Sequence, residues 1–140
     1  MPEAIKEPIW VEKREVLAAH ARQLSLHGGG TGMRDETLLE SALGKPKNIF
    51  AYEEGATLAR LAASYAFGIA RNHAFVDGNK RTALVVCLGF LRFNGMTITA
   101  TREERYLAFL SLAAGEMTEA QMTEWLERYL VPLQPAPITK

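Results

Sequence analysis

The sequence predicts an all-α domain in which two buried central helices flank a short polar loop. Apolar residues recur at helical spacing through residues 57–70, on nearly every face, which is typical of a central helix. A second apolar run, residues 80–93, is long for a buried strand and also favours a helix. Capping-box spacing at Thr101 and Thr118 predicts the start of two further helices.

The length and the net charge of the chain limit the number of domains and the classes of partner that we expect. The chain has 140 residues, which suits one domain, and we predict a tail at 1–9, a domain at 10–130 and a proline-rich tail at 131–140. The formal net charge is zero and the pI is about 6.8. This balance argues against global attraction to nucleic acid or anionic lipid, so any anion site must be local.

The single cysteine and the apolar stretches predict the compartment. Cys87 lies in an apolar run and has no partner for an internal disulfide, so we expect a buried, unreactive thiol in a reducing environment. The longest uninterrupted apolar stretch, 83–91, is about half of a membrane span. No signal-peptide pattern opens the sequence. We therefore expect a cytoplasmic protein with no membrane partner.

The N-terminal half reads as two helices and a connector. Residues 11–26 form an amphipathic pattern, which the glycine-rich segment 28–32 breaks. Asp35 can cap a short second helix, and residues 44–55 read as a connector that is extended around Asn48–Tyr52. The residues expected on the buried side of the first helix are Val16, Leu17, Ala21 and Leu24.

In the C-terminal half, particular residues predict where the helices begin and end. Thr57 opens the first central helix, and Asn94-Gly95 ends the second one with a left-handed stop. Met96–Ala100 can form a short extended piece. Gly115 separates the last two helices.

The loop between the central helices, NHAFVDGNKRTA at 72–83, holds more polar groups than a turn needs. A helix that begins near Asn79 leaves backbone N–H groups open, and Gly78 lets an oxygen approach them. Lys80 and Arg81 add two cations at a helix end that disfavours cations, which calls for an anion such as phosphate. The Asn79 side chain would add a further donor.

Two more polar residues in this loop suggest chemistry. Asp77 lies beside the predicted phosphate site, where Mg²⁺ could bridge a carboxylate and phosphate oxygens. His73 is suited to accept a proton near neutral pH, and Phe75 is a candidate core anchor between them. Together these groups could transfer a phosphate-containing group to a hydroxyl. A structural alternative stays open, since Asp-Gly and Gly-Asn are common turn dipeptides.

Other candidates have simpler interpretations. The glycine-rich segment lacks the spacing of a nucleotide loop and reads as a linking turn. His73 and Asp77 lack further ligands at zinc spacing. We expect His20, His27 and the pair Glu53-Glu54 to be solvated. We expect Trp10 and Trp125 to pack the terminal helices onto the core.

The stretch His73–Arg81 resembles the signature of the Fic/Doc superfamily: His, any residue, Phe, any residue, Asp or Glu, Gly or Ala, Asn, Gly or Lys, Arg. The segments GMRDETLLESAL, KNIFAYE, AASYAFGIARNHAF and NKRTALVVCLGFLRFNG resemble its Doc branch, the death-on-curing toxins. The resemblance covers roughly residues 10–130. It implies a compact helical bundle with a short extended flap, and it implies that the flap docks the target protein: Asn48, Ile49, Phe50, Ala51 and Tyr52.

The resemblance also implies roles for the loop residues. His73 matches the histidine that deprotonates the target hydroxyl, and Asp77 matches the residue that holds Mg²⁺. Arg81 matches the phosphate-binding arginine. Gly78 and Asn79 match the anion-hole positions.

Position 80 separates the branches of the superfamily. AMP-transferring Fic proteins carry Gly there and a further Arg three residues after Arg81, whereas this chain has Lys80 and Leu84. The resemblance therefore implies a protein kinase that uses ATP and Mg²⁺, phosphorylates a threonine of elongation factor Tu and stops translation. An AMP transferase of the same fold and a non-catalytic binding module remain alternatives.

Regulation by a second chain is also implied. The inhibitory pattern of many Fic proteins is approached only by Thr99–Glu103, and Glu104 then departs from it. The expected inhibitor is a small antitoxin protein whose C-terminal segment folds into a groove of the toxin.

Overall fold

The computed structural model describes residues 6–134. The predictions for the first five and last six residues lie outside this range. Residues 6–134 contain six α-helices and two short strands: α1 Lys13–His27, α2 Glu36–Tyr52, α3 Leu58–Asn72, α4 Asn79–Phe93, β1 Met96–Ile98, α5 Arg102–Ala113, α6 Glu119–Tyr129 and β2 Leu130–Pro132.

Helix α3 is the centre of the fold, as predicted. It packs against α2, α4, α5 and α6, and its side chains are buried on nearly every face. Small residues make this possible, because they let neighbouring helix backbones approach closely. The residues buried along α3 are Ala59, Leu61, Ala62, Ala63, Ser64, Tyr65, Ala66, Gly68, Ile69 and Ala70. The all-α fold class is confirmed.

The predicted caps are also confirmed. The side chain of Asp35 accepts a hydrogen bond from the Leu38 N–H at 3.1 Å, and α2 begins at the next residue. Thr57 caps α3, and complete capping boxes open α5 at Thr101 and α6 at Thr118. These contacts span three residues, so they form wherever the local sequence supplies them.

The predicted connector at 44–55, with its extended flap around Asn48–Tyr52, is wrong. Helix α2 continues through Pro46 to Tyr52. The buried positions of α2 recur every three to four residues, at Leu39, Ala42, Pro46 and Ile49. Packing of this apolar side against α3 therefore outweighs the local preference of glycine and proline to end a helix.

The segment predicted as the C-terminal tail starts inside a strand. β2 extends to Pro132 and pairs antiparallel with β1, with Met96 opposite Pro132 and Ile98 opposite Leu130. Residues 131–132 therefore belong to the folded domain. The extended piece predicted at Met96–Ala100 is confirmed for its first three residues.

The N-terminal segment lies along the end of α4. The side-chain amide of Asn94 accepts from the Ile9 N–H at 2.8 Å and donates to the Ile9 carbonyl at 3.0 Å. The Trp10 ring stacks on Phe90, with 6.1 Å between centroids. Trp125 is buried in α6, as predicted, whereas Trp10 packs onto the core from the segment that precedes α1. Within residues 6–134, no helix combines the length and the apolar character needed to cross a bilayer.

A close approach of α2 and α3 generates a prediction about stability. A Cβ at Gly68 would lie 2.9 Å from the Ala42 Cβ, whereas a Cβ at Gly44 would meet no atom within 4 Å. We expect Gly68→Ala to lower the free energy of unfolding by about 1–3 kcal/mol, because the two helices must move apart. The matched control Gly44→Ala should raise it by about 0.5–1 kcal/mol. Urea denaturation measures both, and equal effects of the two changes would contradict this packing.

Candidate active site

The loop begins with a strained backbone at His73. This residue follows α3 with φ 52° and ψ 49°, and it is the one non-glycine residue with positive φ within residues 6–134. The guanidinium of Arg34 donates to the His73 carbonyl at 2.7 Å and to the Asn72 carbonyl at 3.1 Å. These are carbonyls at the end of a helix that lack intrahelical partners. Arg34 thereby stabilises the left-handed turn that presents the His73 side chain.

The middle of the loop is paired with the segment between α1 and α2. Met33 and Phe75 form an antiparallel bridge, and the Arg34 N–H donates to the Ala74 carbonyl at 2.7 Å. The Val76 N–H donates to the Gly32 carbonyl at 3.2 Å. The glycine-rich segment was predicted as a linking turn. It also holds the loop in place through these backbone contacts.

Phe75 and Asn79 hold each other in the core. The Asn79 Oδ1 accepts from the Phe75 N–H at 3.1 Å, and its Nδ2 donates to the Phe75 carbonyl at 3.0 Å. Both residues are buried, which confirms Phe75 as a core anchor. Both ends of the Asn79 amide thus bind Phe75, and the contact predicted between this side chain and a phosphate stays a prediction.

His20 was predicted to be solvated, and this is wrong. Its side chain is buried and stacks on the Phe75 ring, with 3.7 Å between centroids and 10° between planes. Its Nε2 lies 2.8 Å from the Asp77 carbonyl, so Nε2 carries the proton in this hydrogen bond. The buried side of α1 follows Val16 and His20, and their spacing of four was the sequence signal for this role.

The carboxylate of Asp77 is oriented by the backbone but remains exposed. Its Oδ1 accepts from the Gly78 N–H at 2.8 Å, and its Oδ2 lies 3.4 Å from the Gly30 nitrogen. A Cβ at Gly29 would lie only 2.8 Å from Oδ2. The glycines of the α1–α2 segment therefore make room for this carboxylate, and this contact was not predicted.

Helix α4 begins at Asn79, as predicted, with open amides. Gly78 precedes it in a left-handed conformation, with φ 80° and no side-chain cap. The first helical hydrogen bond at this end runs from the Thr82 N–H to the Gly78 carbonyl at 3.0 Å. Within residues 6–134, the N–H groups of Asn79, Lys80 and Arg81 have no hydrogen-bond acceptor. Open amides and the helix dipole together favour an anion here.

These groups surround one cavity of about 470 Å³. His73 lies on its wall with the five consecutive residues Asp77–Arg81, so the structure brings together the predicted catalytic, metal and phosphate-binding residues. Leu110 and Ala113 of α5 contribute an apolar side. The predicted flap residues are absent from the described lining. They form the end of α2, where Tyr52 is 87% exposed.

The two cations at the start of α4 have no acidic partner among the described residues. The Lys80 Nζ instead lies 4.9 Å from the centroid of the Tyr106 ring, on α5. This cation–π contact with Tyr106 was not predicted, because nothing in the sequence indicates that α5 passes beside the loop. The cations are thus available to an anionic ligand.

Two other candidates are settled by burial and pairing. Complete burial raises the pKa of the Cys87 thiol to about 12, so this thiol stays neutral and is no nucleophile, as predicted. Glu53 and Glu54 are exposed, as predicted, and the Glu53 carboxylate also pairs with Arg60 at 3.1 Å. Within the described part of the chain, no three His, Cys, Asp or Glu side chains cluster as a metal site.

The contact between Asn79 and Phe75 generates a second prediction. Asn79→Ala would leave a buried N–H and a buried carbonyl of Phe75 without partners, each at a cost of about 1–3 kcal/mol. We expect the free energy of unfolding to fall by at least about 2 kcal/mol. The control Asn48→Ala, at an exposed position of α2, should change it by less than about 0.5 kcal/mol. Thermal and urea unfolding test this, and indistinguishable variants would argue against the contact.

Comparison with known proteins agrees with this geometry. The family model described as "Fic/DOC family" matches residues 10–91. The chain is 36% identical over 118 residues to a protein named "Protein kinase doc" from Escherichia phage P1, which covers 84% of this chain and 93% of the relative. It is 35% identical over 92 residues to a protein named "Toxin Doc" from Mycolicibacterium smegmatis, which covers 65% of this chain and 68% of the relative. The chain belongs to the Fic/Doc family.

Proposed function

We propose that this chain is a Doc-like toxin with protein kinase activity, which transfers the γ-phosphate of ATP to a Ser or Thr hydroxyl of a translation factor. One observation carries the proposal: a single cavity presents an imidazole, a carboxylate and the open start of a helix. A base, a cation ligand and an anion cradle are the parts that phosphoryl transfer requires. The names of the two relatives support the assignment.

His73 acts as the general base. Its imidazole lines the cavity and makes no hydrogen bond with another residue in the 6–134 range. The side chain is therefore free to accept the proton of the incoming hydroxyl. The new bond joins the hydroxyl oxygen to the γ-phosphorus as the bond to the β,γ-bridging oxygen breaks, and ADP leaves.

The start of α4 holds the phosphates. The open N–H groups of Asn79, Lys80 and Arg81 point to the same helix end, and two side-chain cations are added there. Charge builds on the phosphate oxygens and on the leaving oxygen during transfer, and fixed donors stabilise it without reorganisation. The left-handed Gly78 permits the close approach that these backbone contacts need.

Asp77 is suited to hold Mg²⁺. Its carboxylate is exposed at the cavity, and hard oxygen donors are the ligands that Mg²⁺ prefers. The lining described for the cavity includes one carboxylate, which fits an ion that keeps water and takes phosphate oxygens as its other ligands. When bound, the ion would neutralise charge on the phosphates. Contacts from the N–H groups of Gly78 and Gly30 orient Asp77 for this role.

The partners follow from the relatives and the resemblance. The names of the relatives support a toxin–antitoxin pair, in which a small antitoxin chain inhibits the toxin. The proposed target is elongation factor Tu, whose phosphorylation would arrest translation in the cytoplasm. We propose that the end of α2, residues 48–52, docks this target as a helical surface, since Tyr52 is largely exposed there.

Labelled ATP tests the proposed reaction. Wild-type protein, ATP and purified elongation factor Tu should yield a target labelled from γ-labelled but not from α-labelled ATP. His73→Asn should lower the rate by about 10²–10⁴, the usual effect of losing a general base. Asparagine tolerates the left-handed backbone at this position, so the loss would not arise from misfolding.

The control and the contrary results are distinct. Arg14→Ala changes an exposed cation of α1 outside the cavity and should keep wild-type activity. Transfer of the α-label would show an AMP transferase. Transfer of neither label to elongation factor Tu or to any protein of a bacterial lysate would show a non-catalytic binding module.

A further inference from the structure

His20 lies behind the loop, on the buried side of α1, and it contacts the backbone next to Asp77. Its Nε2 lies 2.8 Å from the Asp77 carbonyl oxygen. We propose that His20 is a positioning residue, which fixes the peptide between Asp77 and Gly78 and thereby orients the Asp77 carboxylate for Mg²⁺. The proposal rests on the proposed function and assigns a part in it to a residue outside the described lining of the cavity.

Both polar groups of the peptide between Asp77 and Gly78 have partners. The carbonyl accepts from His20 Nε2, and the Gly78 N–H donates to Asp77 Oδ1 at 2.8 Å. A trans peptide points its carbonyl and its N–H in opposite directions within one rigid plane. His20 on one side therefore fixes where the N–H points on the other side. Because this N–H holds one oxygen of the carboxylate, the contact made by His20 reaches the proposed Mg²⁺ ligand.

The peptide needs this restraint because Gly78 does not supply one. Glycine adopts positive and negative φ with similar ease, and Gly78 has φ 80°. Rotation of the peptide plane would therefore meet little local resistance, and it would turn the carbonyl oxygen toward Asp77 Oδ1. Two oxygens that both carry negative charge repel each other, so the carboxylate would leave its position. His20 opposes this rotation by holding the carbonyl on its own side of the loop.

The imidazole can act in this way because its own position is fixed. It is buried and stacks on the Phe75 ring, and it also lies against Gly78, where a Cβ would be 3.5 Å from His20 Cδ2. Packing alone would favour an apolar side chain here, since burial of an imidazole carries a desolvation cost. The hydrogen bond to the Asp77 carbonyl accounts for the polar residue.

The open amides of α4 depend on a different contact. They belong to residues 79–81, which follow Gly78, and the first of these residues is held by Phe75. Rotation of the preceding peptide would leave their N–H groups in place. Loss of the His20 hydrogen bond should therefore weaken phosphate binding that involves Mg²⁺ and spare phosphate binding to the amides alone. General damage to the loop would weaken both.

Two variants separate the hydrogen bond from the packing. His20→Phe keeps a ring on Phe75 and removes the donor, whereas His20→Gln keeps a donor in place of Nε2 and removes the ring. Isothermal titration with inorganic tripolyphosphate, with and without Mg²⁺, measures binding to each. We expect His20→Phe to lower the affinity in Mg²⁺ by about 10- to 100-fold, the usual effect of losing a group that orients a metal ligand, and to leave the metal-free affinity unchanged. His20→Gln and the control Arg22→Ala, at an exposed position of α1, should match the wild type in both buffers.

A double variant tests the route through Asp77. Asp77→Asn removes the charge of the proposed Mg²⁺ ligand and should itself lower the affinity for tripolyphosphate in Mg²⁺. Addition of His20→Phe to this variant should have no further effect, because the two changes act on one group. Additive effects would show that His20 acts on binding by another route and would contradict the proposal.

The wild-type protein supplies a test that does not depend on how a variant folds. Long-range proton–nitrogen NMR spectra should show the imidazole proton of His20 on Nε2, and a proton on Nδ1 alone would overturn the inference. The inference is also overturned if His20→Phe leaves both affinities unchanged or lowers them equally, or if only His20→Gln loses affinity, since packing is then the role of His20.

Failure of the proposed function gives a different result. If the wild type binds tripolyphosphate but transfers no label from ATP to a protein, the proposed kinase fails, and the titrations still decide whether His20 positions Asp77. If the wild type binds tripolyphosphate in neither buffer, the proposed phosphate site fails and the role of His20 fails with it.

Discussion

The geometry of the candidate active site depends on how Phe75 is held. The ring is buried against His20, and the backbone of the same residue is bonded at both its N–H and its carbonyl by Asn79. Asn79 is also the first residue of α4. The contact therefore fixes the start of the helix relative to the loop, and with it the position of the open amides that form the predicted anion site.

The proposed base and the proposed phosphate site lie at two helix ends. His73 follows the end of α3, where Arg34 bonds the carbonyls that the helix leaves unpaired. The amides proposed to bind phosphate belong to the start of α4. Helix ends carry unpaired backbone groups, so they can bind a ligand or be capped from outside. Here one end is capped by a cation, and the other end is left open.

Local features of the chain could be predicted from the sequence. The caps at Asp35 and Thr101, and the start of α4 at Asn79, depend on contacts within three or four residues. The side-chain roles of His20 and Arg34 could not, because their partners in the loop lie some 38 to 57 residues away. From sequence alone, a histidine on a polar helix is expected to be solvated. The ring and the carbonyl that bury it are brought together only by the fold.

The connector predicted within α2 was wrong for the same reason, because the contact that decides the structure is distant in sequence. Pro46 and a nearby glycine signal a break, and a sequence window contains no information about α3, against which this side of the helix is buried. Asn79 illustrates the reverse case. Its position at the helix start was predicted correctly, yet its side chain binds the backbone of buried Phe75, a contact that was not predicted. Residue type and spacing indicated where the site lies, but packing decided which atoms face it.

The cations at the start of α4 show a conflict between stability and binding. Lys80 and Arg81 lie at the positive end of a helix dipole, where each cation is unfavourable by about 0.3–1 kcal/mol. In this structure Lys80 is relieved in part by the Tyr106 ring, while Arg81 has no acidic partner in the described range. An anion at the open amides would remove the repulsion from both. The arrangement is therefore locally unfavourable without a ligand, and a bound phosphate would compensate for it.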